Sequence, residues 1–206
     1  MSLIQDFVAG RTPPDLYEAY LAPGMFSPWA ERLLSLSPPD GKCLDLGCGT
    51  GVVSRRLASH AATSVCAIDV APPMINLAKA LAAEAGLDRQ ISFEVASALE
   101  LPFADRTFDR VYCQQALQFF PDKVAALRDV TRVLKPSGQF AAAVWTAAQD
   151  GNPIFGAFEK IVARRFGADL IPFGPFSFGD PDTLRRDAEQ AGLRSIRLIR
   201  EDMVVT

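Results

Sequence analysis

The chain has 206 residues, of which 49% are hydrophobic and 22% are charged, and its formal net charge is −3. These values predict one globular domain and exclude a mainly disordered chain, and the slightly acidic balance argues against nucleic acid or a membrane surface as the main partner. No apolar run approaches the roughly 20 residues of a membrane-spanning helix, and Asp6 interrupts the stretch that a signal peptide keeps apolar, so a cytoplasmic protein is expected.

Two helices are predicted ahead of the first strand. The first covers about Asp15–Leu21, and the second covers Pro28–Leu36, with Ser27 as its N-cap and Pro28 in its first turn. Residues 1–40 are therefore expected to form a helical cap on a main domain at 41–206.

Five short apolar runs then alternate with longer helical patterns. The predicted strands are Lys42–Gly47, Ser64–Asp69, Ile91–Val95, Phe108–Cys113 and Gln139–Trp145. The predicted helices between them are Val52–His60, Pro73–Ala85 and Lys123–Leu134. This alternation predicts an α/β fold with a doubly wound, mostly parallel sheet and helices on both of its faces.

The pattern changes after the fifth strand. An insertion at about 146–180 is expected to carry a helix near Pro153–Phe166, followed by a helix from Pro181 to Ala191 and a sixth strand from Arg194 to about Val205. Three phenylalanines lie among glycines and prolines in this insertion, which is typical of a lid or an apolar cavity wall: Phe173, Phe176 and Phe178.

The cysteine and histidine content argues against a metal site. None of the four cysteines belongs to a C-x-x-C pair, and His60 is the only histidine. Small buried thiols in a reducing cytoplasm explain the cysteines.

The most informative segment is LDLGCGTG, Leu44–Gly51, at the predicted end of a strand and start of a helix. Its glycines allow a sharp turn and bring bare backbone against a nucleotide-type ligand. The spacing is G-x-G-x-G, and Val52 stands where the dinucleotide fingerprint would have glycine.

Two carboxylates flank this loop. Asp45 lies two residues before the first glycine, where it would repel a pyrophosphate but attract an ammonium group, so a positively charged ligand is favoured. Asp69 ends the second strand and can accept from both hydroxyls of a ribose, although it could instead cap the following helix.

Together with VLKPSGQF at Val133–Phe140 and ALELPFADRTFDRVYC at Ala98–Cys113, this loop resembles the class I S-adenosylmethionine-dependent methyltransferases, and in particular their small-molecule members. The resemblance spans about 110 residues, from Lys42 to Trp145. It implies the Rossmann-like fold of that family and S-adenosyl-L-methionine as the cofactor.

The resemblance also implies which residues contact the cofactor. Asp45 and the loop would face its methionine half, and Asp69 would hold the ribose. Four residues would lie beside the adenine: Val70, Met74, Ser97 and Ala98. Gln114 and Gln115, after the fourth strand, would meet the methionine moiety or the methyl group. The family usually has aspartate where this chain has Ser97, so weaker binding is expected. The full set is Tyr17, Asp45, Gly47, Cys48, Gly49, Asp69, Val70, Met74, Ser97, Ala98, Gln114 and Gln115.

Methyl transfer from a sulfonium is an in-line displacement that alignment and exclusion of water can drive. Gln118 stands where many relatives have a histidine or glutamate, and it cannot act as a base. No catalytic residue is therefore named, and a small, partly apolar acceptor is expected. Two alternatives remain: a methyltransferase-like protein that binds the cofactor without turnover, and an NAD(P)-dependent oxidoreductase.

Family members usually finish with a hairpin whose last strand is antiparallel to the rest of the sheet. The sequence given stops after one predicted strand beyond the insertion, so the fold is expected to lack that last strand. We expect an open or dimer-covered slot beside the fifth strand, which makes a homodimer an option.

Overall fold

In the computed structural model the chain is described at residues 10–60, 64–147, 150, 153–166 and 174–203. The predicted strand residues after 203 and the predicted cavity residue Phe173 lie outside the described residues. Within the described part, no helix has the length and apolar character needed to cross a bilayer.

The described strands form one five-stranded parallel sheet. They are β1 (Lys42–Leu46), β2 (Ser64–Asp69), β3 (Ile91–Val95), β4 (Phe108–Gln114) and β5 (Leu134–Ala143). Their order is β3-β2-β1-β4-β5, and each neighbouring pair is parallel. The order reverses direction at β1, so the carboxyl ends of β1 and β4 border the crevice where such sheets bind ligands.

Helices cover both faces of the sheet, as the alternation predicts. They are α1 (Pro13–Leu16), α2 (Ser27–Leu36), α3 (Val52–Ala58), α4 (Pro72–Glu84), α5 (Lys123–Val133), α6 (Pro153–Phe166) and α7 (Pro181–Gln190). Cys43 packs with the helices of one face, and its neighbour Leu44 packs against α5 on the other. This alternation along β1 is what a strand buried on both sides requires.

The N-terminal region differs from the two predicted helices. Instead of ending near Leu21, the helix continues as a ten-residue π helix, Tyr17–Phe26, and passes directly into α2. Ser27 is therefore not an N-cap, because it and the preceding Phe26 already have helical backbone angles. Pro28 does lie in the first turn of α2, as expected.

The fifth strand begins earlier than predicted. It starts at Leu134, directly after α5, and its pairing with β4 shifts between Phe108 and Arg110. The residues Lys135–Gly138 bulge out of the ladder at this shift, which is why the strand could not be read from alternation alone. The strand also ends at Ala143, so Trp145 lies beyond it.

The predicted sixth strand is wrong over its described part, since residues 194–203 pair with no strand of the sheet. A cavity separates this segment from β5, and both line its walls. An ion pair between Arg32 and Glu201 ties the segment to α2 instead. Within the described residues β5 is therefore an open edge of the sheet, as the expected slot requires.

Candidate functional site

The glycine loop turns sharply at the carboxyl end of β1. The backbone N–H groups of Gly47 and Cys48 both donate to the carbonyl of Ile68, each at 2.9 Å. Gly47 has φ +72°, and a Cβ at this position would lie 2.5 Å from the Cβ of Ala116. Only glycine fits here, because the turn needs a left-handed backbone and the chain after β4 presses against it.

Asp69 holds this loop from the end of β2. One carboxylate oxygen accepts from the N–H of Gly49 at 2.8 Å, and the other accepts from the N–H of Ala71 at 2.9 Å. The N-cap of α4 is Ala71, which has no side-chain cap. Asp69 therefore does not cap that helix but links the ends of β1 and β2, and each of its oxygens keeps a second lone pair for a ligand.

Asp45 is buried beneath the loop, with 1% of its surface exposed. The hydroxyl of Ser54 on α3 donates to its carboxyl group. Burial raises the pKa of Asp45 to about 7, the nearby charge of Asp69 adds to the rise, and the Ser54 hydrogen bond opposes it. The loop therefore covers an acidic group whose charge costs free energy until a cation arrives.

The π helix lies over the loop and adds a further carboxylate. The hydroxyl of Tyr17 lies 3.9 Å from where a Cβ on Gly49 would be, and its ring stacks on that of Phe26 with centroids 4.7 Å apart. Burial raises the pKa of Tyr17, and the charges of Glu18, Asp45 and Asp69 add to the rise. The negative charges of three carboxylates thus act on this hydroxyl and make the site attractive to a cation.

One arginine connects the π helix to the loop. Arg55 on α3 donates to the carbonyl of Thr50 in the glycine loop and to a carboxylate oxygen of Glu18 at 2.7 Å. The second carboxylate oxygen of Glu18 is buried and accepts no hydrogen bond from the described residues. Sequence reasoning missed both residues, because no local pattern pairs positions 18 and 55.

Three glutamines at the end of β4 and just after it have unused acceptors. The amide nitrogen of Gln114 donates to the carbonyl of Phe26 at 2.8 Å, and that of Gln118 donates to the carbonyl of Gln115 at 3.0 Å. A carbonyl can only accept, so the amide oxygens must point elsewhere. The side-chain oxygens of all three are buried and accept from no described residue.

The remaining predicted residues lie around the ends of β2 and β3. Val70 is 73% exposed, and Ser97 is also exposed, with a hydroxyl that accepts from the N–H of Leu99. Met74 and Ala98 are half-buried. Cys48 is buried in the loop, and burial raises the pKa of its thiol. The structure thus brings Asp69 against the glycine loop and leaves Val70 and Ser97, which were predicted to lie beside the adenine, at the surface.

In the part of the chain that the structure describes, side chains that could ligate a metal do not gather into a second site. In the described residues no group of histidine, cysteine, aspartate and glutamate side chains has the arrangement of a metal site. His60 is exposed and lies just beyond α3 rather than inside it. Gln118, at the position where the resemblance leads one to expect a base, is 2% exposed, so this position holds a buried amide.

Comparison with known proteins supports one family. Residues 44–142 match the model of the methyltransferase domain family. The 27-O-demethylrifamycin SV methyltransferase of Amycolatopsis mediterranei is 34% identical over 54% of this chain and 42% of its own length. The 2-methyl-6-phytyl-1,4-hydroquinone methyltransferase of Synechocystis is 33% identical over 84% of this chain and 52% of its own length.

A solved structure from Methanococcus maripaludis, described as an S-adenosyl-L-methionine-dependent methyltransferase, shows the same fold. Its TM-score is 0.70 at 20% identity, and the match covers 92% of this chain and 85% of that one. The chain spans about half or less of the length of the two curated relatives.

Proposed function

We propose that this chain, whose residues 44–142 match the methyltransferase domain family, is a class I S-adenosylmethionine-dependent methyltransferase that transfers a methyl group from that cofactor to a small, partly apolar acceptor. The observation that carries the proposal is the group of carboxylates around the glycine loop. Asp45, Asp69 and Glu18 suit a ligand that carries an ammonium and a sulfonium group. The pyrophosphate of a nicotinamide cofactor would be repelled there.

The unpartnered acceptors around the loop fit the cofactor. The buried side-chain atoms Oε2 of Glu18, Oγ1 of Thr50 and Oε1 of Gln114 accept from no described residue, and each such acceptor costs free energy until a donor satisfies it. The ammonium and ribose hydroxyls of S-adenosyl-L-methionine are donors of this kind. When bound, the cofactor supplies a methyl group already activated by its sulfonium.

The chain's own residues would then bind and orient. Asp45 and the backbone of Gly47, Cys48 and Gly49 would hold the methionine half, Asp69 would hold the ribose, and Tyr17 would close over them. The adenine would lie beside Val70, Met74, Ser97 and Ala98, and Gln114 and the backbone of Gln115 would border the methyl group.

Catalysis would proceed by positioning. The polar side chains at the end of β4 and just after it are those of Gln114, Gln115 and Gln118, which take no proton at neutral pH. Holding the acceptor in line with the methyl group, away from water, is what this arrangement can contribute.

The acceptor class rests on the lining and on the relatives. Leu21, Met25 and Trp29 line the cavity beside the site together with Trp145 and Phe176. The two relatives are named for a rifamycin and for a phytyl hydroquinone, and the apolar wall of this cavity suits an organic acceptor. These relatives support neither an oxidoreductase nor a cofactor-binding protein without turnover.

Titration calorimetry with S-adenosyl-L-methionine and with NADH tests the cofactor. We expect saturable binding of the first and no heat from the second. Transfer of a radiolabelled methyl group to a panel of small apolar acceptors would then test turnover. Binding of NADH alone would overturn the proposal.

Arg55→Ala should raise the Kd for S-adenosyl-L-methionine by about five- to tenfold, because two partly buried charge-assisted hydrogen bonds that tie the π helix to the loop are lost. The matched control is Arg56→Ala. Arg56 is the next residue on α3 and pairs with the exposed Glu31, away from the loop. Calorimetry should show an unchanged Kd for this control, and equal effects of the two substitutions would argue against the Arg55 connection.

The working compartment and assembly complete the proposal. The four cysteines are free, which suits a reducing cytoplasm. The open edge of β5 is where a second copy could pair to form a homodimer. Residues 1–40 would act as the helical cap, since the π helix lies over the glycine loop.

A further inference from the structure

A cavity of about 2150 Å³ runs along β5, and one end of it is aromatic. We call the aromatic end the part lined by Met25, Trp29, Trp145 and Phe176. The rings of Trp29 and Trp145 meet edge to face with centroids 6.2 Å apart, and Phe176 lies 6.4 Å from Trp145. These rings offer apolar faces to a ring or chain of similar size.

The aromatic end is held in place by close backbone packing. A Cβ on Gly179 would lie 2.5 Å from the carbonyl of Trp145 and 2.6 Å from the Cα of Thr146, so the chain after Phe176 rests directly on the chain after β5. The wall formed by Trp145 and Phe176 is therefore built by the fold.

Gln115 is the residue of the predicted site that also lines this cavity. It follows β4 with φ +54°, and its backbone N–H donates to the carbonyl of Ala143 at 2.8 Å, two residues before Trp145. The side chain is 9% exposed, and its Oε1 is buried and accepts no hydrogen bond from the described residues. A ligand that supplies a hydrogen to this oxygen would remove the cost of leaving it unpaired.

The charges along the cavity restrict what that donor can be. Basic side chains outnumber acidic ones in its lining, so an ammonium group is disfavoured. A carboxylate has no hydrogen to offer at neutral pH, and it would face the carbonyl oxygen of Gln115. A neutral hydroxyl group satisfies both conditions.

We propose that the aromatic end binds an acceptor with an apolar, ring-bearing body and a neutral hydroxyl group that donates to Oε1 of Gln115, which makes Gln115 a specificity-determining residue. This inference rests on the proposed function, because it assigns the cavity to the methyl acceptor. The inference goes further by naming the hydroxyl group as the feature that selects the acceptor. A site built around a hydrogen-bond partner rejects analogues that lack it more strongly than it rejects changes in apolar size.

Tryptophan fluorescence offers a direct test, because Trp29 and Trp145 are the two tryptophans of the chain and both lie at the aromatic end. The probes are cyclohexanol, methoxycyclohexane, cyclohexylamine and cyclohexanecarboxylate, which share a ring and differ in the polar group. Titrated without cofactor, cyclohexanol should bind about tenfold more tightly than each of the others.

Gln115→Met keeps the length of the side chain and removes the carbonyl, so it should reduce the preference for the alcohol over the ether to about one. Gln115→Asn tolerates the left-handed backbone and keeps a carbonyl, so it should retain a preference of about threefold. The matched control, Gln139→Met, makes the same replacement on β5 in the same cavity and should keep the full preference. Thermal unfolding of each variant shows that it has folded.

The outcomes separate the two proposals. Equal binding of alcohol and ether to the unmodified chain, tighter binding of the amine or the carboxylate, or a full preference in Gln115→Met would each overturn the role of Gln115. Calorimetry with S-adenosyl-L-methionine on the unmodified chain is independent of the probes. If S-adenosyl-L-methionine does not bind, the proposed function fails, whereas the preference among the four probes still tests the role of Gln115.

Discussion

Replacement of Asp69 by alanine should raise the Kd for S-adenosyl-L-methionine by about a hundredfold or more. The carboxylate now accepts from the N–H groups of Gly49 and Ala71, one on each oxygen, and its remaining lone pairs are directed to the ribose in our proposal. Charge-assisted hydrogen bonds contribute about 1.5–3 kcal/mol each, so the loss of two to the ribose accounts for an effect of this size.

The substitution also releases the glycine loop, and a second measurement separates the two contributions. S-adenosylhomocysteine and its 2′-deoxy form differ by one ribose hydroxyl. The unmodified chain should prefer the full ribose by about tenfold, and Asp69→Ala should show no preference. A preference that survives in Asp69→Ala would mean that the residue acts on the loop alone.

Two further variants sharpen the result. Asp69→Asn keeps one carbonyl oxygen and can accept from only one of the two backbone N–H groups with it, so an intermediate Kd is expected. Asp88→Ala removes an exposed carboxylate from the turn between α4 and β3, and it should leave the Kd unchanged. Calorimetry on the four proteins gives the comparison.

The sheet was predictable because its signals are local. The strands β2 and β3 have the predicted bounds, Ser64–Asp69 and Ile91–Val95, since β2 is a short apolar run and β3 alternates apolar and polar residues. The glycine loop was predictable for the same reason. Gly47 marks a backbone that other residues adopt at a cost, and the close approach of Ala116 explains why the chain has glycine there.

The features that were missed depend on contacts between distant positions. The π helix at Tyr17–Phe26 has no simple sequence period, and its stability comes from packing over the loop and from the stack of Tyr17 on Phe26. The connection from Glu18 to Arg55 spans 37 residues. The segment after Gly192 has the apolar content of a strand, but a cavity separates it from β5.

Asp45→Asn should have opposite effects on stability and on cofactor binding. The carboxyl group of Asp45 is 1% exposed, and burial raises its pKa to about 7 from an ordinary value of 3.8. Between these two values the folded chain holds a proton that the unfolded chain releases. The free energy of unfolding therefore falls as pH rises from about 4 to about 7, and the loss is complete above about pH 7.

Asparagine at position 45 has no proton to gain or lose in this pH range, and its side-chain carbonyl can still accept from the hydroxyl of Ser54. The variant without cofactor should therefore be more stable than the unmodified chain at about pH 8, by roughly 2–4 kcal/mol, and similar in stability near pH 4. Urea unfolding at both pH values measures the difference. The contrast is Asp109→Asn: Lys135 lowers the pKa of Asp109, so this variant should lose stability at neutral pH.

Binding should change in the other direction, because the charge that destabilises the empty site is what attracts the cationic ligand. Asp45→Asn should raise the Kd for S-adenosyl-L-methionine by about a hundredfold at about pH 8. In the unmodified chain the affinity should increase between about pH 6 and pH 7.5, as Asp45 becomes charged, and then fall at higher pH as the amino group of the ligand loses its proton. The variant should show only the second change. If Asp45→Asn is more stable but binds the cofactor equally well, the ammonium group lies away from Asp45. If the variant loses both stability and cofactor binding, the fold itself needs the carboxyl group.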